Sequence, residues 1–550
     1  MDSKPWFKNA VVYALDVETF KDADGDGVGD FRGLIQELDY LNRLGVSTLW
    51  LLPFYPSPNR DNGYDVVDYY GVDERFGSLG DFVEFVEAAD DRGIRVIVDL
   101  VVNHTSDQHP WFQQARSAPD SKYRDFYVWV EEPPPTDPER GTVFPGEVED
   151  ERVWTYDSEA GAYYYHRFYP FQPDLDLTNP AVRKEIYKIM AFWLKLGVSG
   201  FRVDAATWMI QPKHPDTATM DDPHELLRGL KRHALSHRSD AVLLAEADDA
   251  PAELGKYVGE GDEMDLLMNF VLNAHLVAAI ATERAAPVVE GLERLPPTGR
   301  GQWANFLRNY DELNIGRLPA DLKETVFERF AADSGMRIYG RGIRRRLAPM
   351  LDGDWDQYRM AFSLLFSMPG VPMVLYGDEI GMGDDLSLPG RSSIRTAMQW
   401  SDDSNGGFSS ASSEDLTVSV IDDGPFGYDR VNVERQLADP DSLFNFMTRL
   451  IATRRECRAI GHGTATIVPT DDSGTLVHRF DWEDTIVLCV HNLASDAATV
   501  EVPLELLPVE STSCIHGNPT LERADSTCRI ELDGYGYGWF RIRSRTESSS

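Results

Sequence analysis

Lysine is scarce. Only 11 of the 53 basic residues are lysine, against 91 aspartates and glutamates, so the 550-residue chain carries a formal charge of −38. A surface of that sign repels nucleic acid and anionic membrane, and neither is expected as a partner. The same balance suits a protein working in high salt, where screening removes the self-repulsion, so a salt-adapted protein is expected. Cysteine is nearly absent. The four present, Cys457, Cys489, Cys514 and Cys528, all fall in the last hundred residues. Their spacing matches no zinc site. A Cys514–Cys528 bridge is set against free buried thiols, the form expected in a reducing cytoplasm. Long apolar runs are missing as well. The longest uncharged stretch, Met360 to Gly377, is broken by Pro369, Gly370 and Pro372. It reads as a helix, a turn and a strand, not a membrane span. The opening MDSKPWFKNA holds no apolar core of signal-peptide length, and a cytoplasmic protein is expected.

What is present is an ordinary globular composition, 42% apolar and 26% charged, in a chain long enough for two or three domains. Strand-like and helix-like segments alternate over the first 460 residues or so. "VVYALDV" precedes a helical "FRGLIQELDYLNRLG", "VSTLWLLPF" precedes "LGDFVEFVEAADDRG", and "IRVIVDLVVNH" follows. Later come "VSGFRVDA", "AVLLAEA", "MDLLMNF", "QWANFLRN" and "VPMVLYG". Eight apolar strands, most followed by an amphipathic helix, predict an α/β fold, a parallel (β/α)8 TIM barrel over residues 1–103 and 179–460. The alternation lapses over 104–178, which reads as a domain inserted after the third strand. From 461 to 545 alternating runs such as "TLVHRF" and "TIVLCVHNL" predict an antiparallel β-sandwich domain. Residues 546–550 read as a disordered tail.

In such a barrel the active site lies at the C-terminal ends of the strands. Polar residues stand there in sequence: Asp99, Asn103 and His104 after the third strand, Arg202 and Asp204 on the fourth, Glu246 on the fifth, Asp311 on the seventh. Any one of them could be a cap or an ion pair. Four strands bringing such residues to one mouth are harder to explain that way. Arg202 and Asp204, two apart on a strand, point the same way, and the cation is expected to keep the carboxylate ionised, as a nucleophile requires. Glu246 follows "VLLA" and is expected in a drier place that raises its pKa, which suits a general acid. Two carboxyls on adjacent strands match double displacement at a glycosidic bond.

"DLVVNH", "GFRVDA", "LLAEA" and "LRNYDEL" resemble, in order, the four signature segments of glycoside hydrolase family 13, the α-amylase family. "QPDLD" looks like a segment of its oligo-1,6-glucosidase branch. "LWLLPFYPSP", "NHTSDQHPWFQ", "RDFYVW", "GIRRRLAPML", "LYGDEIGMGD" and "MQWSDDSNGGF" carry the likeness over nearly the whole chain, nearest to the trehalose synthase branch. The resemblance implies Asp204 as nucleophile, Glu246 as acid/base and Asp311 as transition-state stabiliser. It implies a donor glucosyl ring held by Asp61, Tyr64, His104, Phe168, Gln172, Arg202 and Arg391. It implies a retaining glucosyl transfer that interconverts maltose and trehalose, with a small α-glucoside as substrate and no organic cofactor. "DADGDGVGD" resembles the calcium loop of the same subgroup, with Asp22, Asp24, Asp26, the Val28 carbonyl and Asp30 as ligands of a structural Ca2+. A second calcium near Asn103 and Asp174 is not expected, because Gln211 stands where an acidic ligand would.

Three departures bear on function. Tyr310 replaces the family's histidine before the stabilising aspartate and is expected to keep a weaker bond to the sugar. Asp248, in "EADD", is expected on the acceptor side. "RTAMQW" replaces "RTPMQW". An α-glucosidase or a transglucosylase with another acceptor therefore stays open, as does a catalytically impaired sugar-binding homologue. Association with further copies of the chain stays open too.

Overall fold

The computed structural model describes residues 5–133, 141–146, 152–213, 221–504, 511–523 and 526–543. Eight short strands close a barrel: β1 (Val12–Leu15), β2 (Thr48–Leu51), β3 (Arg95–Leu100), β4 (Gly200–Val203), β5 (Val242–Ala245), β6 (Leu266–Met268), β7 (Gln302–Asn305) and β8 (Val371–Leu375). Each pairs in parallel with its neighbours in the chain, and β8 closes on β1 with Tyr13 opposite Val374. Nearly every strand residue is buried, because one face fills the barrel and the other meets helices. That is why these segments read as unbroken apolar runs and not as alternations. Gly200 opens β4 at φ +152°, and a Cβ there would stand 1.9 Å from the Val242 carbonyl oxygen of β5. Only glycine lets the fourth and fifth strands, which carry Asp204 and Glu246 at their ends, approach in this way.

The helix α1 (Leu79–Asp91) illustrates how the outer layer forms. The Ser78 hydroxyl accepts from the Asp81 N–H at 3.2 Å while the Asp81 carboxylate accepts from the Ser78 N–H at 2.8 Å, a reciprocal cap. Phe82, Phe85, Val86 and Ala89 recur at helical spacing and are buried. Phe82 stacks on Phe54 at 5.1 Å and meets Trp193 edge-on at 5.0 Å. Trp193 comes from the next long helix, α2 (Pro180–Lys195), so one aromatic cluster ties two helices to the end of β2.

The chain leaves the barrel twice. After β3 it forms a short helix, Pro110–Ser117, and a three-stranded antiparallel sheet of Trp129–Val130, Ala162–Tyr165 and Trp154–Asp157. It returns through bridges of His104 with Asp174 and Tyr127 with Leu175. A second excursion, between β7 and β8, was not anticipated from the sequence. It holds the small sheet Leu313–Asn314, Gly342–Ile343 and Arg337–Ile338 and the helix α3 (Ala320–Phe330). Strands of two residues carry no periodic signal to find.

Beyond Gly463 lie two antiparallel sheets, of five and three strands. They share a core that includes Val477, Leu488, Val500, Val502, Ile530 and Ile542. Buried contacts join this sandwich to the barrel: Trp539 Nε1 donates to Ser363 Oγ at 3.0 Å, and His478 Nε2 to the Ser367 carbonyl at 3.0 Å. All four cysteines are free, with Cys514 and Cys528 on different sheets. Residues 546–550 lie outside the described residues. Among the described residues no helix is long and apolar enough to cross a membrane.

Candidate active site

One buried guanidinium organises the ends of β3, β4 and β5. Arg202, on β4, meets Asp99 Oδ1 at 2.9 Å, Asp204 Oδ1, and Glu246 Oε1 at 3.0 Å. Asp204 follows directly on β4 and Glu246 directly on β5, so adjacent strands deliver both carboxylates to the same cation. Ala205 takes a left-handed conformation, φ +49°, which a residue with a Cβ adopts only under constraint. Its N–H donates to Glu246 Oε2 at 2.9 Å, and the Ala206 N–H to the Glu246 carbonyl at 3.0 Å. The strained turn after Asp204 thus fixes Glu246 from the neighbouring strand.

Two electrostatic expectations need correction. Burial pushes the Asp204 carboxyl well above its usual range, against the pull of Arg202, and the charges of Glu246 and Asp99 push the same way. The Arg202 guanidinium opposes this shift without cancelling it. Nor is Glu246 the drier of the pair: its side chain is 25% exposed and that of Asp204 only 7%. The loop "EADD" opens outward immediately after β5, which the run "VLLA" does not reveal.

Asp311 lies six residues beyond the end of β7, in a loop and not on the strand. Arg391 donates to its Oδ1 at 2.6 Å and Arg395 at 2.9 Å. Burial acts to raise its pKa, but Arg391, Arg395 and Arg202 together hold it below the ordinary value. Asp311 is an anion at any pH near neutrality. The second arm of Arg391 reaches Asp61 Oδ1 at 2.8 Å, and Gln172 Nε2 donates to Asp61 Oδ2 at 2.9 Å. Arg395 is the first residue of "RTAMQW", and that motif was the signal that could have placed it.

A cleft of about 600 Å³ opens over these groups, within the range of small-molecule sites. Asp61, Tyr64, His104, Phe168, Asp204, Glu246, Asp248, Asp311 and Arg391 line it. Trp208, Phe144, Phe270 and Asn309, which sequence reasoning missed, line it too. The three aromatics lie outside the signature segments, where a lone aromatic in a loop carries no pattern, whereas Asn309 stands inside "LRNYDEL" and that segment was the signal that could have placed it. Gln172 and Arg202 do not line it. Each is buried behind a lining carboxylate that it holds in place. His104 does line it, but its Nε2 donates to the Tyr64 carbonyl at 3.2 Å and its Nδ1 faces Asn103 Nδ2 at 3.4 Å. The imidazole is a wall, packed 5.0 Å from the Phe168 ring, and not a free donor to a sugar. Burial lowers its pKa and keeps it neutral.

Tyr310 also departs from expectation. It is buried and does not line the cleft, and its hydroxyl donates to Asp16 Oδ2. The Arg395 guanidinium lies 4.0 Å over its ring, and Arg395 Nε donates to its carbonyl oxygen at 3.0 Å. Asp16, at the end of β1, offers an acceptor inside the barrel mouth that only a side chain as long as tyrosine reaches from here. Tyr310 is thus a shelf under the arginine that binds Asp311. Tyr310→Phe strips the donor from buried Asp16 and is expected to cost about 1–3 kcal/mol of stability in a denaturant titration. A variant as stable as the wild type would contradict the bond to Asp16.

Two further sites concern cations. In the Asp22–Asp30 loop, one carboxylate oxygen each from Asp22, Asp24 and Asp30 lies within 4.8 Å of the others. Asp22 accepts from the Gly25 and Gly27 N–H groups at 2.7 and 2.8 Å, and Asp30 caps the helix Phe31–Gln36. Asp26 is not among these three, and its Oδ1 accepts from the Val28 N–H at 2.9 Å. Near Asn103 and Asp174 the oxygens are met by a cation of the chain itself. Lys213 Nζ donates to Asp174 Oδ2 at 2.7 Å, Asn103 Oδ1 at 2.9 Å and the Asn103 carbonyl at 3.1 Å. The Lys213 ammonium thus stands among those oxygens.

Comparison with known proteins adds to this geometry. A family model described as the α-amylase catalytic domain matches residues 15–309 and 343–463. A trehalose synthase from Pimelobacter sp. (strain R48) is 39% identical over 98% of this chain and 96% of its own. A trehalose synthase/amylase from Mycolicibacterium smegmatis is 38% identical over 98% and 93%. Among solved structures, an α-amylase from H. orenii superposes with a TM-score of 0.78 at 26% identity, covering 98% of this chain and all of that one. The trehalulose synthase MutB matches with the same TM-score, identity and coverage. Barrel, carboxylates and family model agree: the chain belongs to the α-amylase family, glycoside hydrolase family 13.

Proposed function

We propose that this protein is a retaining α-glucosyltransferase that interconverts maltose and trehalose. The observation that carries the reading is the pairing of Asp204 and Glu246 on Arg202 at the floor of the cleft, with Asp311 held anionic by two other arginines. The whole-chain likeness to trehalose synthases supports the choice of substrate. Asp204 attacks C1 of the donor glucose. Glu246 gives a proton to the departing glucosidic oxygen, and the C1–O bond breaks. Asp311 faces the positive charge that develops at C1 and C1's ring oxygen. The glucose set free turns within the cleft. Its anomeric hydroxyl then attacks the glucosyl ester, returns its proton to Glu246 and releases Asp204. Retention of all three carboxylates, in place and connected, weighs against a purely sugar-binding role.

Chromatography of products after incubation with maltose tests the proposal. Trehalose as the main product is expected. Glucose alone identifies a hydrolase, and unchanged maltose a binding protein. Asp248 is the observation that favours a different acceptor: it lines the cleft and accepts from Arg317 Nε at 2.8 Å and Asn314 Nδ2 at 3.4 Å.

The converging oxygens of Asp22, Asp24 and Asp30 fit a hard cation, and a structural Ca2+ there is part of the same reading. Chelator is expected to lower the melting temperature by several degrees, with little change in kcat for the enzyme that stays folded. Molar salt is expected to raise it, since screening relieves the charge of −38. A melting curve indifferent to both would contradict both.

A further inference from the structure

The charged residues that line the cleft fall into two groups. The group that serves the donor holds Asp61, Asp204, Glu246 and Asp311, with Arg391 paired to Asp61 and Asp311. The other group is Asp248 after β5, Glu312, Arg317 and Arg341 of the second excursion, and Lys323 on α3. Arg317 is matched by Asp248 at 2.8 Å and Arg341 by Glu312 at 3.2 Å. Lys323 is half-buried, and among the described residues its ammonium has no carboxylate partner and no hydrogen bond. In a chain with 91 acidic residues and only 11 lysines, an unmatched lysine facing a ligand cleft runs against the composition. A cation partly removed from water without a counter-charge is unfavourable unless something in the cleft supplies the charge. Maltose, trehalose and glucose are all neutral and cannot supply it.

The geometry points to a second class of acceptor for the same glucosyl-enzyme: a small hydroxylated anion, a polyol or sugar bearing a carboxylate or phosphate group, seated with that group on Lys323 in the cleft that Arg317 and Arg341 also line. This rests on the glucosyl transfer proposed above and names its acceptor. Asp204 displaces the leaving sugar of an α-glucoside donor, and Glu246 protonates the departing oxygen. A hydroxyl of the anionic acceptor then attacks C1 of the ester. Its proton passes to Glu246, the bond from C1 to Asp204 breaks, and the product is an α-glucoside that carries the acceptor's charge. Asp248 holds Arg317 at the edge of this subsite and keeps a second anion out of the reacting centre.

The test is calorimetry on the full-length protein at about 0.15 M ionic strength, so that screening is moderate. Two matched pairs serve as probes: glycerate against glycerol, and glucose 6-phosphate against glucose. In at least one pair the anion is expected to bind at least about tenfold more tightly, and which pair it is separates a carboxylate from a phosphate. Lys323→Met and Lys323→Gln are each expected to bring the two members of that pair within about twofold. Equal affinities in both pairs for the wild type would overturn the inference, as would a preference that survives both substitutions. Products are analysed in parallel with maltose as donor. A tenfold preference in a protein that does not turn over maltose contradicts the proposed reaction and leaves the anion subsite standing. Turnover of maltose without any preference does the reverse.

Discussion

Asp204→Asn is expected to lower the turnover of maltose by at least about 10⁴-fold, because an amide does not form the glucosyl ester on which both half-reactions depend. The loss should fall on kcat and not on folding. Arg202 keeps Asp99 at 2.9 Å and Glu246 at 3.0 Å as partners, so its charge stays matched when Asp204 becomes neutral. Glu246→Gln should cost about 10²–10⁴-fold with maltose, whose leaving glucose needs a proton. With α-glucosyl fluoride it should cost far less in the first step, since fluoride leaves unprotonated. Steady-state rates on the two substrates check both variants. An Asp204→Asn protein with wild-type rates would contradict the nucleophile's role, and a Glu246→Gln protein equally impaired on both substrates would contradict the acid's.

Lys213→Met is expected to destabilise the protein by about 3 kcal/mol, the range for removing one partner of a buried ion pair. Asp174 would keep the Asn103 amide at 3.1 Å and the Arg167 N–H at 3.0 Å, but no cation. Asn103 precedes His104 on the cleft wall, so activity should fall together with stability. Combining the change with Asp174→Asn separates the pair from its surroundings: the double variant should be more stable than the sum of the single losses predicts. Additive losses in denaturant titrations would show that Lys213 acts through something other than Asp174.

The eight barrel strands were legible because a buried parallel strand is apolar on both faces and stands out as a short run. The three candidate carboxylates, Asp204, Glu246 and Asp311, were legible for the related reason that each ends such a run or stands within a signature segment. What escaped depended on distances between segments far apart in the chain. Tyr310 beside Asp311 looked like a sugar ligand, yet its hydroxyl is claimed by Asp16, nearly three hundred residues away. Lys213 is nine residues beyond Asp204 and has no motif of its own, so only the folded chain places it against Asp174. Glu246 was read as dry from the four residues before it, whereas the loop after it decides its exposure. Lys323 and Arg341 could not be assigned to the cleft: Arg341 stands between two-residue strands without a periodic signal, and nothing in the sequence of α3 says that Lys323 faces a site so far along the chain from Asp204 and Glu246.

The central claim is that Asp204 carries the glucosyl group between the two halves of the reaction. It is tested most directly by mass spectrometry of the protein after exposure to a fluorinated α-glucosyl fluoride whose ester is released slowly. The protein is expected to gain the mass of one fluoroglucosyl unit, and peptide sequencing should place it on Asp204. The same mass on Glu246 or Asp311, or no added mass while maltose is turned over, would contradict it.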